Sequence, residues 1–410
     1  MSYRFIDNLT ENDYSSFAID HPLYNIYQSV KWAVIKKEWH HRFVGVKEDD
    51  KLVLASLLLY RDLPLGYTLF YLPKGPLADF ENVELISFFF LKLKAFAKTK
   101  KAIEIKIDPN ILLSSVPYQD ITEHQPVRQS KVIDNLVKLG FKYHGFNKDM
   151  YETAQPRYSA VFYYYDDWLA NYKNKATKTI AKALKKGVEI EEIKIDKIDL
   201  FAEIMSYTEK RKNISLRNKE YYQRIMEAYQ DDAFMVLTKI DLKKQLAINE
   251  DDLSNFQAII DKHEIAEYKL KKIRDQVASL QKDIAFKKKC IQEDGDIIYI
   301  SCLLAVKVGN TDEMLYAGMN EKYRKYLAPY VSYIEGIKWG YQKGCTRCDF
   351  GGIQGTLDDG LTEFKGYFEP NIEEYIGEFD LTVNKPIEFI FQKSIPVYKG
   401  IRRFLRGKKK

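Results

Sequence analysis

The sequence is poor in cysteine and lacks both a long apolar run and a signal peptide. Only Cys290, Cys302, Cys345 and Cys348 occur in 410 residues, too few to cross-link such a chain, so a reducing cytoplasm is expected. The densest apolar run, LISFFFLKLKAF from Leu85, is interrupted by lysines well short of the ~20 residues that span a bilayer. The opening MSYRFIDNLTENDYSS has no basic segment followed by an apolar one. Neither secretion nor a membrane-spanning segment is therefore expected.

The common catalytic motifs are absent as well. The six histidines form no H-E-x-x-H pair, and the chain contains no G-x-S-x-G, G-x-x-x-x-G-K-[ST] or G-x-G-x-x-G. The stretch CTRC, from Cys345 to Cys348, has the spacing of half a zinc or redox site, but no second C-x-x-C accompanies it. Buried or incidental cysteines are favoured there, and neither a metal nor another cofactor is expected.

Proline and glycine are missing from the middle of the chain. All 12 prolines lie before Arg157 or after Ala328, and no glycine occurs between Gly187 and Gly295. Because these residues interrupt regular structure, their absence predicts a helix-rich middle.

Within this middle region, two apolar seams predict a pair of helices. Their members recur at spacings of mostly three, four and seven residues: Leu242, Leu246, Leu253, Phe256 and Ile260 in the first seam, and Leu270, Ile273, Val277, Leu280, Ile284 and Ile291 in the second. Residues 241–292 are therefore predicted to fold back as an antiparallel coiled-coil arm. The alternative is a further pair of core helices.

The flanking regions mix strand and helix patterns. Strands are predicted at HRFVGVKED, KLVLASLLLYRD and KAIEIKIDP, and helices at QSVKWAVIKKEW and FENVELISFFFLKLKAFAKTKK. A second series of strands and helices follows Gln155 and Pro156. The fold class is therefore α/β, or α+β, with two similar lobes and the arm inserted in the second.

The formal net charge of +6 conceals two basic runs. Residues 172–186, YKNKATKTIAKALKK, and residues 401–410, IRRFLRGKKK, each hold six basic residues and no acid, so the rest of the chain carries −6. Such a run is commonly just a solvated face. The asymmetry nevertheless favours a polyanion or an anionic membrane surface as a partner.

Ten stretches, in order along nearly the whole chain, resemble the FemABX peptidyltransferases, and most closely their MurM/MurN branch. They are QSVKWAVIKKEW, YLPKGPL, IKIDP, KLGFKYHG, QPRY, LRNKEYY, MLYAGMN, DFGGIQG, EFKGYF and IGEFDL. The resemblance implies two GNAT-like lobes, the first at residues 1–152 and completed by 376–410, the second at 153–375, with the arm at 241–292. It also implies transfer of an amino acid from aminoacyl-tRNA onto the stem-peptide lysine of a peptidoglycan precursor.

The resemblance also assigns residues to the binding of the precursor. Lys36 and Arg217 match a lysine and an arginine that hold its diphosphate, and Tyr221 and Tyr316 match tyrosines of the same cleft. A lysine point charge and an arginine fork suit a diphosphate. With a spacing of four, Arg217 and Tyr221 are expected on one helix face. Arg211 is a weaker rival because no tyrosine follows it at that spacing.

Four further residues are assigned to the reacting groups. Phe364 and Lys365 match a pair in which the lysine meets the 3′ end of the aminoacyl-tRNA and offsets the developing charge. Asp108 matches an aspartate near the acceptor amine, as an anchor or a proton acceptor, and Glu378 is a weaker candidate for the same region. Positioning and one well-aimed donor suffice for an activated ester, so a missing catalytic triad does not exclude an enzyme.

The two basic runs complete the predicted interactions. A set of lysines in the first run is assigned to aminoacyl-tRNA, charged with Ala or Ser: Lys175, Lys178, Lys182, Lys185 and Lys186. The tail at 401–410 suits the inner face of the plasma membrane and favours lipid II over the nucleotide-linked pentapeptide as acceptor. The predicted enzyme is thus cytoplasmic and peripheral at that membrane; the sequence leaves its oligomeric state open.

Two rival functions remain at this stage. One is a catalytically silent member that binds tRNA or lipid II and acts through its coiled-coil arm, although the presence of both Asp108 and Lys365 argues against it. The other is an acyltransferase that uses an acyl thioester, but the Q/R-x-x-G-x-G/A loop that would bind acyl-CoA is absent.

Overall fold

The computed structural model describes residues 2–145, 148–172, 174–212, 217–262 and 266–389. The chain forms two compact units, and the boundaries between them fall at several points: the first unit holds residues 1–165, 307–313 and 344–410, and the second holds 166–306 and 314–343. These limits differ from the expected 1–152 and 153–375 because strands after residue 344 pair with strands before 165. The predicted lobe boundaries stay a prediction.

The first unit begins with an α/β segment. Its helices and strands are β1 Tyr3–Ile6, α1 Glu11–Ala18, α2 Val30–Ile35, β2 His40–Glu48, β3 Lys51–Asp62, β4 Thr68–Leu72, α3 Val83–Thr99, β5 Ala102–Ile107, β6 Leu112–Pro117, α4 Lys131–Lys138, β7 Phe141–Tyr143 and β8 Tyr158–Tyr163. Helix α2 is shorter than the predicted helix at QSVKWAVIKKEW. The Ser29 side chain caps its first turn by accepting from Trp32 N at 3.1 Å, and Lys36 ends it with a non-helical ψ of 51°.

The second unit follows, and the chain then returns to the first. The elements are α5 Trp168–Asn171, α6 Lys175–Lys185, β9 Val188–Glu192, α7 Ile198–Lys212, α8 Lys219–Tyr229, β10 Ala233–Asp241, α9 Leu242–Asp261, α10 Glu267–Asp294, β11 Ile297–Val308, β12 Thr311–Met319, α11 Ala328–Gln342, β13 Arg347–Ile353, α12 Gly360–Gly366, β14 Asn371–Tyr375 and β15 Phe379–Thr382. Short 3-10 segments lie at Ile26–Gln28, Pro64–Gly66, Tyr118–Glu123, Ile195–Lys197, Gln230–Asp232 and Glu321–Tyr326.

A seven-stranded sheet forms the core of the first unit. Its order is β1-β2-β3-β4-β5-β15-β7, so the late strand β15 lies between β5 and β7. Only β4 and β5 pair in parallel. Helix α3, capped by Asn82, packs one apolar face against this sheet through Leu85, Phe89, Phe90 and Leu93, which are buried in the same cluster as the sheet interior.

The second sheet is ordered β6-β14-β8-β13-β12 in the first unit and β12-β11-β10-β9 in the second, the chain passing between units within β11 and β12. Strand β13 pairs with β12 in parallel and with β8 in antiparallel orientation, with a register shift between Asp349 and Gly352. This irregularity re-aims neighbouring side chains, as bulges do.

Helices α9 and α10 form the predicted arm. The members of both predicted seams are half-buried or buried, with Leu242 and Ile284 buried, whereas most of the charged residues between them are exposed. At the base of the arm, the buried Asn249 donates to Asp283 at 3.0 Å, and Asp283 also accepts from Lys287 at 2.6 Å. The helical arm inserted in the second lobe is thus confirmed. Within the described residues, no helix combines the length and apolarity needed to cross a membrane.

Candidate functional site

Asp108 lies directly after β5, and its side chain is almost completely enclosed. The residue is 3% exposed. One carboxylate oxygen accepts from the Tyr71 hydroxyl at 2.8 Å, and the other accepts from the backbone N–H of Lys74 at 2.6 Å. Burial raises the pKa of Asp108 to about 7, although the nearby Lys74 ammonium and both hydrogen bonds act in the opposite direction. This carboxyl group therefore titrates near neutrality, as a proton acceptor at neutral pH requires.

Glu378 lies near Asp108 and is also buried, so it does not face water. It is 5% exposed, and its charge contributes to the raised pKa of Asp108. One carboxylate oxygen accepts from the Lys106 ammonium and the other from Ala154 N at 2.7 Å. Glu378 is therefore held as a paired carboxylate beside Asp108, consistent with a positioning role.

The ion pair of Lys106 and Glu378 is part of a small ionic network. Lys106 Nζ also donates to Asp380 at 2.6 Å, and His144 Nε2 lies 2.6 Å from the other oxygen of Asp380. Potential ligand atoms of His144, Glu378 and Asp380 lie within 4.8 Å of one another, a spacing that suits a metal ion. The Lys106 ammonium, however, already bonds to both carboxylates and supplies the positive charge that a cation would bring.

Lys365 lies in α12, which Asp359 caps by accepting from Leu361 N and Thr362 N. Lys365 is 3% exposed, and its ammonium donates to the carbonyls of Gly351 at 2.8 Å and Gly352 at 2.9 Å. Lys365 is therefore not an exposed turn residue. It holds the irregular part of β13 in place.

Phe364, the neighbour of Lys365, is half-buried. Its ring meets that of Phe368 edge to face at 5.9 Å, which fixes the orientation of the aromatic side chain within α12.

The second unit contains a different cluster, of one arginine and several tyrosines. Arg217 stands over the Tyr221 ring, 4.8 Å from its centroid. Tyr316 lies edge-on to Tyr221 at 6.2 Å and to Tyr222 at 5.1 Å. Burial raises the pKa of the Tyr316 hydroxyl, and the Arg217 charge partly offsets this effect. The three predicted residues Arg217, Tyr221 and Tyr316 are thus brought together.

The expectation that Arg217 and Tyr221 share a helix face is wrong. Helix α8 begins at Lys219, and Asn218 caps it by accepting from Tyr221 N. Arg217 therefore precedes the helix, and the guanidinium reaches the tyrosine by folding back over its ring. Arg217 is exposed and lies over an aromatic face, and this cation–π contact orients its guanidinium group.

Lys36, in the first unit, immediately follows α2. Its ammonium lies 4.3 Å from the centroid of the Trp32 ring. The cation–π contact orients the half-buried lysine side chain.

The lysines assigned to tRNA lie along one side of α6 and at its C-terminal end. Lys175, Lys178, Lys182, Lys185 and Lys186 are all exposed, whereas Ala176 and Ala183 of the same helix are buried. The helix thus presents a basic stripe to solvent. The basic tail at 401–410 lies outside the described residues.

All four cysteines are buried and unpaired. Cys348 donates to Asp312 at 2.9 Å, and burial raises the pKa of both groups. A protonated thiol beside an acid is a poor metal ligand or nucleophile, in line with the expected lack of metal or redox chemistry at CTRC.

Sequence reasoning missed Tyr71 and Lys74, the two residues that hold the Asp108 carboxyl group. Both lie in YLPKGPL, a stretch that resembles the FemABX family. A strand followed by proline and a cation was an available signal, but only the pairing of β4 with β5 places it beside Asp108.

Comparison with known proteins reveals similarity along almost the whole chain. The model of the FemAB family matches residues 9–393. A lipid II:glycine glycyltransferase of Staphylococcus aureus (strain bovine RF122 / ET3-1) is 28% identical over 415 aligned positions, which cover 95% of each chain. The same protein of strain MSSA476 is 27% identical over the same share.

Solved structures give the same result for the fold. The crystal structure of FemX superposes with a TM-score of 0.70 at 28% identity, covering 95% of this chain and 99% of the other. A tandem GNAT protein from the clavulanic acid biosynthesis pathway has a TM-score of 0.51 at 6% identity, with 93% and 99% covered. The resemblance to the FemABX family and the fold of two GNAT-like lobes are confirmed, while the MurM/MurN branch and the individual site roles stay predictions.

Proposed function

We propose that this chain, which belongs to the FemAB family and is an aminoacyltransferase, transfers Ala or Ser from aminoacyl-tRNA to the side-chain amine of the stem-peptide lysine of a peptidoglycan precursor. The observation that carries the proposal is the buried Asp108 carboxyl group, held by Tyr71 and Lys74 beside Glu378. Peptidoglycan synthesis is supported by the relatives, which are named for glycyl transfer involving lipid II.

The proposed reaction needs one proton acceptor at the attacking nitrogen. A lysine side chain has a pKa of about 10.4, so it arrives as an ammonium, which has no lone pair. Asp108 accepts a proton from this ammonium, and the amine forms a C–N bond to the ester carbonyl carbon. The tetrahedral intermediate then expels the ribose oxygen as the C–O bond breaks, and that oxygen takes up the second proton lost by the attacking nitrogen. An amide and free tRNA result.

The remaining predicted residues have supporting roles in this proposal. Lys365, with Phe364 next to it, fixes the turn at Gly351 and Gly352 and thereby positions the 3′ end of the donor. Glu378 orients the acceptor ammonium near Asp108.

The binding of the two large substrates is assigned to other groups. Lys36, Arg217, Tyr221 and Tyr316 bind the precursor diphosphate, since arginine and lysine are suited to phosphate oxygens. The stripe on α6 contacts the tRNA backbone, a sequence-independent electrostatic contact. The lipid-linked acceptor and a peripheral position at the inner face of the plasma membrane are part of the proposal, motivated by residues 401–410.

The test is a transfer assay with the full-length chain. The protein is incubated with tRNA charged with glycine, alanine or serine, together with lipid II in micelles or the nucleotide-linked pentapeptide. The expected product is a precursor heavier by one alanyl or seryl residue, detected by mass spectrometry, with faster turnover on lipid II. A glycyl product would show that the transferred amino acid is glycine instead of Ala or Ser. No amide product with any of the three donors would overturn the proposal.

A second experiment tests the membrane contact. Deleting residues 401–410 is expected to reduce co-sedimentation with anionic liposomes and turnover on lipid II, while turnover on the nucleotide-linked acceptor is preserved. Unchanged behaviour in both measurements would remove the basis for the membrane assignment.

A further inference from the structure

Lys74, which the reaction above uses only through its backbone, is a largely buried residue. The residue is 8% exposed, and its backbone is fixed in the left-handed region at φ 52°. Its N–H donates to Asp108, and its carbonyl accepts from Asn25 at 3.3 Å. A lysine in this region is uncommon and is retained only where its surroundings enforce it. The side chain is therefore aimed in a set direction.

The Lys74 ammonium lies 4.1 Å from the centroid of the Tyr375 ring. Among the described residues it makes this cation–π contact but neither a hydrogen bond nor an ion pair of its own. A buried ammonium has three donors, and leaving them unused is costly. The arrangement suits an oxygen acceptor supplied from outside the chain.

Four carboxylates of the first unit act on this ammonium. Asp108, Asp349, Glu313 and Glu373 each raise the pKa of Lys74, against the lowering effect of its burial. Glu373 is saturated, because it accepts from Arg347 at 2.9 Å and from the Tyr375 hydroxyl at 2.6 Å. Asp349 accepts from Ser159 at 2.7 Å. Glu313 has no hydrogen-bond partner among the described residues.

Glu313 and Asp349 lie directly opposite each other in the parallel pair β12 and β13. Like charges at opposed positions of a sheet are destabilising. Burial and the neighbouring Asp349 raise the pKa of Glu313 to about 8. Two cations, Lys74 and Arg347, stand against these three acids and Asp108, so the cluster holds more acids than cations.

We propose that Lys74, Glu313 and Asp349 form a subsite for the α-amino acyl end of the donor, in which the carboxylates bind its α-ammonium and Lys74 donates to its carbonyl oxygen. The inference rests on the proposed function. An aminoacyl ester carries an ammonium and a carbonyl oxygen on adjacent carbons, and therefore supplies both the missing positive charge and the missing acceptor. The subsite adjoins Asp108, because the backbone N–H of Lys74 binds that carboxylate.

The experiment compares two donors that differ only in the α-substituent. One is tRNA charged with the amino acid identified by the transfer assay, and the other is the same tRNA carrying the corresponding α-hydroxy acid, for example alanyl and lactyl. The ratio of their kcat/KM values is measured for the wild type and for Glu313→Gln. Intrinsic ester reactivity cancels in this comparison of ratios.

We expect the wild type to prefer the amino donor and Glu313→Gln to lose about 10- to 100-fold of that preference, the range for a hydrogen bond to a charged group. Lys74→Met is expected to lower kcat/KM with both donors by a similar factor and to leave their ratio unchanged. Exposed residues of α3 supply matched controls, Glu84→Gln and Lys98→Met, which should match the wild type in both quantities.

Two results would overturn the subsite: equal kcat/KM for both donors in the wild type, or a wild-type donor ratio in Glu313→Gln. The first requires no variant, so it stands even if the substitutions prevent folding. Failure of the proposed function looks different, because the wild type would then form no amide even with the amino donor.

Discussion

The two units hold their acids in different ways. In the first unit, burial raises the pKa of Glu104 and Asp108 to about 7 and of Asp312 and Glu313 to about 8. In the second, hydrogen bonds from Lys197 and Lys239 lower the pKa of Glu191 to about 2.

Asp283 repeats the pattern of the second unit. Its burial acts to raise the pKa, but Lys287 and Lys325 outweigh that effect and bring the pKa to about 2. Glu191 and Asp283 are therefore paired with lysines and hold their charges with a gain in stability.

This difference separates acids that stabilise the fold from acids that are available for chemistry. A paired carboxylate stabilises the fold, whereas one held near neutrality costs stability and is available to exchange a proton or receive a cation. Asp380 is the exception in the first unit. Its burial acts to raise the pKa, but His144 and Lys106 lower it, which makes it a supporting residue that shares the Lys106 ammonium with Glu378.

The largest expected effect of testing this difference is a loss of transfer rate when Asp108 is replaced. Asp108→Asn removes the proposed proton acceptor and should lower kcat at pH 7.5 by about 100-fold or more. In the wild type, the deprotonated fraction falls tenfold per pH unit below a pKa of about 7, so the rate should fall as the pH is lowered and the variant should lose that dependence.

Initial transfer rates between pH 5.5 and 8.5 measure both effects. Asp252→Asn, at an exposed position of α9, is the control and should reproduce the wild-type profile. A rate for Asp108→Asn within threefold of the wild type would contradict the proton-acceptor role.

In the second unit, a substitution is expected to weaken binding of the precursor and to leave the catalytic rate nearly unchanged. Arg217→Ala removes the guanidinium that we propose binds the precursor diphosphate, and should raise the KM for the precursor about tenfold or more, with kcat nearly unchanged. Arg211→Ala is the matched control, since Arg211 pairs with Glu321 at 3.4 Å and should leave KM unchanged. Steady-state kinetics decide, and a larger effect for Arg211→Ala would transfer the role to that residue.

The smallest expected effects concern the free energy of unfolding, and they have opposite signs in the two units. Between about pH 4 and 8, folded Asp312 keeps a proton that the unfolded chain has lost, so its contribution makes the free energy of unfolding fall as pH rises, by up to about 1.4 kcal/mol per pH unit. Asp312→Asn should therefore stabilise the chain more at pH 8 than at pH 5.

Asp283→Asn should act in the opposite direction. The lowered pKa of Asp283 contributes stability that is present above about pH 4 and lost as pH falls toward 2. The variant should thus be destabilised at both pH 5 and pH 8. Urea unfolding at the two pH values measures both variants, and effects of equal sign would contradict the distinction between the units.

Much of the fold could be predicted because its signals are local. The absence of glycine and proline marked the helical middle, and the apolar seams gave both arm helices nearly to their ends at Asp261 and Asp294. The prediction at α2 was too long because the pattern alone does not show that Ser29 and Lys36 limit the helix. The spacing of Arg217 and Tyr221 likewise indicated proximity correctly but a shared helix face wrongly.

The site was predicted in part. Asp108 and Lys365 were found through short stretches that resemble the family, yet their burial and their partners were not. Lys106, Glu378 and Asp380 come from two segments that meet only because β15 pairs with β5.

The sequence alone determined the α/β class and the helical arm, because periodicity and spacing act over a few residues, and the family resemblance of short stretches supplied several charged candidates. Only the tertiary structure brought Lys74, Glu313 and Asp349 together, because three distant segments must pair before these charges meet. It also decided which acids are paired with lysines and which have a raised pKa, because a pKa depends on burial and on neighbours that chain order does not reveal.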